Sequence, residues 1–456
     1  MTEKKSSSFT VVGAGRSGVG ISKLLASKGN DILLYDENSE DNLKYLDKDG
    51  LVKYGVELYL GNWDERILRN DVIVKSPGVP PSSEVIVKAK SLGIKVVSEI
   101  EAAYEYCPCP IIAVTGTNGK TTTTELTGAI FRSAGIDTKV CGNVGLAFSE
   151  IIDDLHEDSV VVLEVSSYQL NDIENFKPMV GVMMNITPDH IDWHGSFENY
   201  LSAKMRIAEN MDDECLLVVN HDDKVLRDSV EKLTVAKSYF GLTDETFNNC
   251  EQGAYEKDGK MFYFNKSKSF NEEIMETRDI NIRGKHNLYN SLAAAISARS
   301  FGIKKEIVGS TLKAFPGVEH RIEFTRELNG VKFFNDSKAT NVESMIVALE
   351  AFERNVVLIM GGREKGNDYS SVSDLVKNRV KTIVAVGESS ENIVGHFGSI
   401  VRVVEAKNME DAVMKAYAAS VPGDNVLLSP ACKSFDMFES YEHRGEVFKK
   451  IVNLLK

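Results

Sequence analysis

The chain has 456 residues, too many for a single hydrophobic core, and its content of 43% hydrophobic and 26% charged residues is that of an ordinary folded protein. Its net charge of −14 argues against nucleic acid or an anionic membrane as the main partner. No stretch approaches the roughly 18 consecutive apolar residues of a membrane span. The polar start lacks the core of a signal peptide, so a cytoplasmic protein is expected. The six cysteines form no metal-ligand pattern and are expected to be free thiols.

Strand and helix patterns alternate at the start of the chain. A glycine-rich turn at 13–18 follows an apolar run and precedes a helical pattern over 19–29, as in a βαβ unit. The strands of this first block are predicted at 9–12, 31–36, 71–76 and 94–98.

The second block contains valine- and isoleucine-rich runs without polar alternation, which is typical of buried parallel strands. These strands are predicted at 111–115, 159–165 and 180–186. Helices are predicted over 197–211 and 287–302, and short strands in the polar region 245–283 between them.

The third block starts near residue 315 and repeats the strand–helix rhythm. Its strands are predicted at 331–336, 355–362, 382–387 and 425–430, with a long amphipathic helix closing the chain. The sequence therefore predicts three consecutive α/β domains. They are a Rossmann-like domain over 1–98, a central domain with a mostly parallel sheet over 99–317, and a second Rossmann-like domain over 318–456.

Residues 113–124 read AVTGTNGKTTTT, which is a glycine-rich turn between a strand and a helix. Unpaired backbone N–H groups at the helix start favour an anion. Lys120 can reach the β- and γ-phosphates of a nucleotide, and the Thr121 hydroxyl can bind Mg²⁺. Val114 stands where the strict phosphate-loop motif has its first glycine. The pattern favours a nucleotide loop, and the alternative is an ordinary turn with a solvated lysine.

Two further side chains are predicted at the same sheet edge. Glu164 ends a buried strand and His190 follows the next one, and ligands of open α/β sheets collect where strands end. The spacing of His190 and His194 allows zinc, but no cysteine or third histidine completes a tetrahedral set. Magnesium bound with ATP is the better interpretation.

The turn GAGRSG at 13–18, with Asp36 after the next strand, taken alone indicates a dinucleotide-dependent oxidoreductase. This signal is weak, because nothing downstream provides hydride chemistry.

Seven motifs occur in order along the chain: GTNGKTT, LEVSSYQL, NITPDHID, YLSAKMRIAEN, GKHNLYNSLAA, HRIEF and NDSKATN. Together they resemble the Mur ligases of peptidoglycan synthesis over residues 10–450. The last motif, with LLSPACKSFDMF near the C-terminus, most resembles the branch that adds D-glutamate. In this family the shortened GTNGKT is the normal ATP loop.

The resemblance implies that ATP phosphorylates the carboxylate of UDP-N-acetylmuramoyl-L-alanine. The amine of D-glutamate then attacks the acyl phosphate through a tetrahedral intermediate. Lys338 would reach toward the transferred phosphate. The ATP-binding positions implied by the resemblance are Gly116, Thr117, Asn118, Gly119, Lys120, Thr121, Thr122, Asn287, Asn290, His320, Arg321 and Asp336. Because these positions come from blocks two and three, closure of the C-terminal domain over the site is expected.

The resemblance also implies a metal site with two Mg²⁺ ions. Thr121 and Glu164 would hold one ion, with His190 near the second. Lys204 matches a lysine that the family carbamylates, since a bare ammonium would repel Mg²⁺ whereas a carbamate offers anionic oxygens. The general base for the amine is not identified, and His190 is a candidate only if it does not serve the metal.

The first domain would bind the UDP end of the substrate, and the third would bind D-glutamate. The UDP-substrate positions implied are Arg16, Ser17, Asp36, Glu37, Asn38, Ser76, Gly78, Asn143 and Ser166. The D-glutamate positions implied are Thr340, Lys365, Ser434 and Tyr441. Three departures from the family pattern stand out: Glu37-Asn38 replaces Thr-Arg of some members, Arg363 replaces an acidic residue, and Tyr441 replaces phenylalanine.

The resemblance implies a monomer whose partners are small molecules. The alternatives are another Mur-type ligase or a folylpolyglutamate synthase with a different amino acid, a phosphate-loop regulatory ATPase, and the oxidoreductase above. NDSKATN in the third block argues against the other ligase branches. A regulatory ATPase would not need Lys204, His190 and this motif together.

Overall fold

The computed structural model describes residues 7–363 and 366–456, without the side chain of Glu343. Lys365 therefore lies outside the described residues. The chain forms two compact units, the first holding 7–280 and 287–315, the second holding 281–286 and the described residues from 316 to 456. None of the helices in the described part of the chain has the length and apolarity to cross a membrane.

The first sheet is parallel, and its described strands lie in the order β3-β2-β1-β4-β5. These strands are β1 (Ser8–Val12), β2 (Asp31–Asp36), β3 (Glu57–Leu60), β4 (Val72–Lys75) and β5 (Lys95–Ser98). The helices around it are α1 (Arg16–Ser27), α2 (Lys48–Lys53), α3 (Glu84–Ser91) and α4 (Glu99–Tyr104). The strand order reverses between β1 and β4, so the loops after these strands diverge and leave a crevice.

The second sheet lies in the same unit, with described strands in the order β14-β13-β12-β11-β10-β9-β6-β8-β7. Its first six strands are β6 (Ile111–Thr115), β7 (Thr138–Gly142), β8 (Val160–Glu164), β9 (Val180–Met183), β10 (Leu216–Asn220) and β11 (Ala236–Gly241). The polar region predicted as short strands forms β12 (Gln252–Lys257), β13 (Lys260–Asn265) and β14 (Phe270–Glu276). Strands β6 to β12 are parallel, and β13 and β14 are added antiparallel.

Helices cover this sheet and bring loops to the ends of its strands. They are α5 (Lys120–Ser133), α6 (Phe148–Ile151), α7 (Ser167–Leu170), α8 (Ile191–His194), α9 (Phe197–Met205), α10 (Lys224–Val230), α11 (Glu245–Asn249), α12 (Lys285–Ser300) and α13 (Lys305–Ala314). The helix predicted over 197–211 is shorter, because a 3-10 turn follows Met205. Arg206 in that turn donates to the carbonyl oxygens of Asn171 and Ile173, which fixes the turn to the loop beneath it.

That loop also ties the first two sheets together. The Lys75 ammonium, 1% exposed, lies 2.9 Å from the Asp172 carboxylate, and the Ser98 N–H donates to the Asp172 carbonyl over 2.7 Å. Glu101 of α4 accepts backbone hydrogen bonds from Glu174, Asn175 and Phe176. Buried groups on both sides are thus paired across the junction.

The third sheet belongs to the second unit, with described strands in the order β15-β16-β20-β17-β18-β19. They are β15 (Glu323–Leu328), β16 (Val331–Asn335), β17 (Val356–Met360), β18 (Val380–Val386), β19 (Arg402–Ala406) and β20 (Asn425–Leu428). Only β15 is antiparallel to its neighbour among these strands. Apolar cores form on both faces, under α14 (Val342–Glu350), α15 (Ser373–Arg379), α16 (Ser390–Phe397), α17 (Met409–Ala418) and α18 (Tyr441–Leu454). The three α/β sheets confirm the predicted fold class, and the domain boundaries at 98/99 and 317/318 stay predictions.

Candidate active site

The loop after β6 has the backbone of an anion-binding turn. Gly116 has φ 150° and Gly119 has φ 85°, values that L-residues rarely adopt. A Cβ on Gly116 would lie 2.8 Å from the Cβ of Met184, and one on Gly119 would lie 2.5 Å from Oδ1 of Asn290. Both positions therefore need glycine, and α5 begins at Lys120 with its N–H groups at the loop.

Two lysines meet at this loop. Lys120 Nζ donates to the carbonyl oxygens of Gly116 and Thr117 over 2.9 and 2.7 Å. Lys204 Nζ donates to the same Gly116 oxygen over 2.8 Å and lies 4.9 Å from the centre of the Tyr200 ring. Lys204 is 2% exposed, and burial, followed by the charge of Lys120, places the pKa of its amine well below the usual value.

Glu164 ends β8 and pairs in register with Val114 of β6, next to the loop. Its Oε1 accepts a hydrogen bond from Asn143 Nδ2 over 3.0 Å. Its Oε2 is buried and has no hydrogen-bond partner among the described residues. Such an oxygen is a suitable ligand for a hard divalent cation. The buried Thr121 hydroxyl at the start of α5 also offers an oxygen ligand.

His190 lies in the segment after β9 in a left-handed conformation, with φ 53°. Its Nε2 lies 3.4 Å from the Asp189 carboxylate. Burial, and then the charges of Lys120 and Lys204 opposing Asp189, lower the pKa of His190. This shift favours the neutral form of the ring.

His194 is engaged elsewhere. Its Nε2 lies 3.0 Å from Ser167 Oγ, and burial lowers its pKa to about 4. Among the described residues, the His, Cys, Asp and Glu groups that could hold a metal together are Glu319, His320 and Glu446. The ammonium of Lys449 lies 2.5 and 2.8 Å from those two glutamates, so a cation already balances them. The zinc interpretation of His190 and His194 gains no support.

Helix α12 packs beside the loop and brings two predicted ATP-binding residues there. Asn290 Oδ1 accepts from Thr123 Oγ1 over 3.2 Å, and its Nδ2 donates to Asn287 Oδ1 over 2.9 Å. Asn287 and Asn290 thus share a helix face, as their spacing predicts.

Two residues that contact the loop, Asn185 and Tyr200, were not predicted from the sequence. Asn185 follows β9 and forms hydrogen bonds with Asn118 through both ends of its amide, over 2.8 and 3.0 Å. Asn185 is the first residue of the motif NITPDHID, which also contains His190. The Tyr200 hydroxyl lies 2.9 Å from Thr117 Oγ1.

A cavity of about 500 Å³ opens at the crevice of the first sheet and is completed by residues of the second. It is lined by every predicted UDP-substrate residue except Ser166, which donates from Oγ to the lining residue Gln169 over 2.9 Å. The lining members of that set are Arg16, Ser17, Asp36, Glu37, Asn38, Ser76, Gly78 and Asn143.

Two charged residues at the glycine turn, Arg16 within it and Asp36 at the end of β2, have defined partners. Asp36 accepts from the N–H of Ala14 over 2.7 Å and of Asn38 over 2.9 Å, so its carboxylate closes the turn. Arg16 donates to the carbonyl oxygen of Gly145, in the loop that follows β7. Trp63 also lines the cavity, with Nε1 donating to Glu84 over 3.1 Å, and the sequence interpretation missed it.

In the second unit, predicted nucleotide-binding residues gather where β16 and β20 end. His320, buried with φ 63°, accepts from Asn335 Nδ2 at Nδ1 over 2.9 Å. Asp336 accepts from Ser429 Oγ over 2.8 Å, and burial raises its pKa to about 7. Lys338 Nζ lies 5.6 Å from the centre of the Tyr441 ring. Arg321, next to His320, has a buried Nε without a hydrogen-bond partner among the described residues.

The predicted D-glutamate residues Thr340, Ser434 and Tyr441 lie on segments that Arg444 joins. The Arg444 guanidinium, 2% exposed, donates to Ser337 and to the carbonyl oxygen of Cys432 over 2.8 to 3.0 Å. Arg444 was missed because its partners are remote in sequence.

Arg363, the departure noted above, forms a two-bond ion pair with Glu388 over 3.0 and 3.1 Å. Its added charge is therefore balanced locally. Its backbone also pairs with that of Lys433, next to Ser434.

Comparison with known proteins gives consistent matches along the chain. Family models described as Mur ligase MurD-like N-terminal domain, Mur ligase middle domain, and Mur ligase glutamate ligase domain match residues 7–98, 114–298 and 320–432. The chain is 42% identical over 453 residues to the UDP-N-acetylmuramoylalanine–D-glutamate ligase of Salinibacter ruber, covering 98% of this chain and 97% of that protein. It is 41% identical to the protein of the same name from Caldicellulosiruptor saccharolyticus, with 98% of each covered.

Solved structures share the fold at low sequence identity. The UDP-N-acetylmuramate–alanine ligase MurC of Thermotoga maritima aligns with a TM-score of 0.60 at 18% identity, covering 98% of this chain and 99% of that one. MurF ligase of the same organism, in complex with ADP, aligns with a TM-score of 0.59 at 16% identity, covering 93% and 95%.

Proposed function

Because the chain belongs to the Mur ligase family, whose members are ATP-dependent and use Mg²⁺, we propose that it joins D-glutamate to UDP-N-acetylmuramoyl-L-alanine. The product would be a cytoplasmic precursor of peptidoglycan. The observation that carries the proposal is the arrangement at the end of β6 and β8. There a glycine loop with Lys120 lies beside Glu164, whose Oε2 has no hydrogen-bond partner among the described residues, and beside the buried Lys204.

The loop would receive the phosphates of ATP. The segment from Gly116 to Thr122 offers hydroxyls and the N–H groups at the start of α5, and Lys120 adds a positive charge that the acidic protein must build locally. Asn287 and Asn290 stand beside the loop to contact the nucleotide. His320, Arg321 and Asp336 of the second unit are proposed to complete nucleotide binding.

The residues present fit magnesium. Thr121 and Glu164 would hold one ion and His190 would lie near a second, the Glu164 oxygen being the ligand atom that lacks a partner among the described residues. When bound, these ions would neutralise charge on the transferred phosphoryl group.

Lys204 is proposed to carry a carbamate. Its amine would attack CO₂, forming an N–C bond and losing a proton, which requires the neutral amine. Burial beside a second ammonium favours that neutral form. The product would replace a buried positive charge with anionic oxygens, as a site for cations requires.

Residues of this chain are proposed to serve the two chemical steps. The substrate carboxylate would attack the γ-phosphorus of ATP and displace ADP, and the D-glutamate amine would then displace phosphate from the acyl phosphate. Lys338 would steady the transferred phosphate. Thr340, Lys365, Ser434 and Tyr441 would hold the two carboxylates of D-glutamate. Neutral His190 could take the proton of the attacking amine, if it does not serve the metal.

The UDP end of the substrate is assigned to the cavity of the first unit. Arg16, Ser17, Ser76 and Gly78 would face the diphosphate and uracil, and Asp36, Glu37 and Asn38 line the same cavity. Asn143 and Ser166 would face the muramoyl-alanine part. We propose that the protein acts as a monomer.

The test is phosphate release from MgATP with UDP-N-acetylmuramoyl-L-alanine, with D-glutamate, L-glutamate, L-alanine, L-lysine or diaminopimelate added in parallel. Release that requires both the UDP substrate and D-glutamate supports the proposal. Release with another amino acid moves the enzyme to a different ligase branch. Release from ATP alone, unaffected by either substrate, contradicts a ligase.

A further inference from the structure

The segment that follows β9 runs alongside the phosphate loop. Pairing of β6 with β9 ends at Thr115 and Met183, yet backbone bonds continue beyond it. The N–H of Met184 donates to the carbonyl oxygen of Thr115 over 3.0 Å, and the N–H of Thr117 donates to that of Asn185 over 2.9 Å. The loop is thus bordered by a chain segment outside any regular strand.

The Asn185 side chain extends this border by one more residue. Its Oδ1 accepts from the N–H of Asn118 over 2.8 Å, and its Nδ2 donates to the carbonyl oxygen of Asn118 over 3.0 Å. One amide therefore reproduces the paired donor and acceptor of a strand neighbour. Both polar backbone groups of Asn118 are thereby fixed in direction.

Asn118 needs this support because of the loop around it. Gly116 and Gly119 on either side have positive φ values and no side chains to hold them in place. Val114 stands where the longer phosphate loop has a glycine, so the turn is short and its N–H groups must be aimed within few residues. Thr117 is held separately, its Oγ1 accepting from the Thr187 N–H over 3.0 Å.

We propose that Asn185 is a positioning residue for nucleotide binding, acting through the backbone of Asn118. This inference rests on the proposed function, in which residues 116–122 receive the phosphates of ATP. Asn185 orients the loop, and the loop with Lys120 contacts the phosphates.

The experiment compares Asn185→Ala with a matched control, Asn210→Ala. Asn210 is also half-buried and donates from Nδ2 to the carbonyl oxygens of Glu174 and Phe176 over 2.8 and 3.1 Å, away from the loop. The dissociation constant of MgADP is measured by calorimetry, and KM is measured for ATP, the UDP substrate and D-glutamate. Melting temperatures report any general loss of stability.

Asn185→Ala is expected to raise the MgADP dissociation constant and the KM for ATP by about tenfold, with both other KM values unchanged. Asn210→Ala is expected to bind MgADP like the wild type. Should Asn185→Ala not fold, the isosteric Asn185→Asp keeps the acceptor, loses the donor, and is expected to weaken MgADP binding too.

Wild-type affinity in a folded Asn185 variant overturns the inference, as does equal weakening in Asn210→Ala. If the wild type itself binds no MgADP, the proposed function is wrong, and the inference that rests on it is wrong as well. These two failures are therefore distinguishable.

Discussion

Lys120 and Lys204 donate to the same carbonyl oxygen, that of Gly116, over 2.9 and 2.8 Å. Two ammonium groups at one buried acceptor repel each other. Lys204 is 2% exposed, so burial disfavours the charged form of its amine in addition to this repulsion. The site therefore favours a Lys204 that has given up its charge.

Replacing Lys204 with alanine tests the carbamate. Activity is expected to fall by roughly a hundredfold or more, because the anionic oxygens that the proposed carbamate offers to Mg²⁺ are lost. Bicarbonate or a short carboxylate such as acetate is expected to restore part of it, measured as phosphate release. Lys224→Ala, at a side chain that is 80% exposed, should behave as the wild type. Unchanged turnover in Lys204→Ala would refute the carbamate.

The variant Glu164→Gln tests the metal assignment. The amide oxygen can still accept from Asn143, but an NH₂ group replaces the oxygen that lacks a partner among the described residues. Activity at a fixed Mg²⁺ concentration is expected to fall about a hundredfold, and the Mg²⁺ needed for half-maximal activity to rise. The exposed Glu231→Gln serves as control. An unaltered Mg²⁺ dependence would remove Glu164 from the metal site.

Trp63 offers a direct signal for the UDP cavity, since the chain has two tryptophans and only this one is among the cavity-lining residues described. In the variant Trp193→Phe, UDP is expected to change the fluorescence of the remaining Trp63 in a saturable way. In Trp63→Phe, where Trp193 alone emits, no such change is expected. A response that follows Trp193 instead would place UDP outside this cavity.

Replacing either of two buried glutamates of α4 with glutamine is expected to have opposite effects on the stability of the protein. Glu99 is 1% exposed, and burial raises its pKa from 4.5 to about 7. Because the pKa of Glu99 is higher in the folded than in the unfolded state, protonation of Glu99 favours folding. Its contribution to the free energy of unfolding is complete below pH 4.5 and is lost as pH rises through about 7. Glu99→Gln is neutral at every pH and is expected to be more stable than the wild type above pH 7, by up to about 3 kcal/mol.

Glu101→Gln should instead be less stable than the wild type throughout, because the carboxylate of Glu101 accepts backbone N–H groups from residues 174–176. Melting temperatures between pH 5 and 8.5 check both variants. If the melting temperature of Glu99→Gln relative to the wild type does not rise between pH 5 and 8.5, the burial of Glu99 does not control stability.

Much of the fold could be predicted, because buried parallel strands such as β6 and β8 are unbroken apolar runs. The missed strands include β3 and β7, whose residues are mostly half-buried and carry polar groups, so their pattern resembles a loop. The predicted helix over 197–211 was too long, since the side chain of Arg206 rather than helical periodicity decides where α9 ends.

The position of Lys120 at the glycine loop could be predicted, because the turn, the lysine and the helix start follow one another in sequence. A site residue could not be predicted where it acts through partners remote in sequence. Arg444 contacts Ser337, and Asn185 contacts Asn118, and neither pairing leaves a local pattern. The left-handed backbone of His190 and His320 is likewise set by surrounding structure, which no propensity of histidine indicates.

The junction at Asp172 and Glu101 has a consequence for substrate binding. The cavity proposed for the UDP end takes Arg16 and Ser76 from the first sheet and Asn143 from the second, so its shape depends on how these sheets are joined. Since paired buried groups hold them together, the cavity is preorganised before the substrate arrives. If the UDP end binds here as proposed, little of the interaction energy would be spent on ordering the walls, and selectivity for the nucleotide end would come from a rigid template.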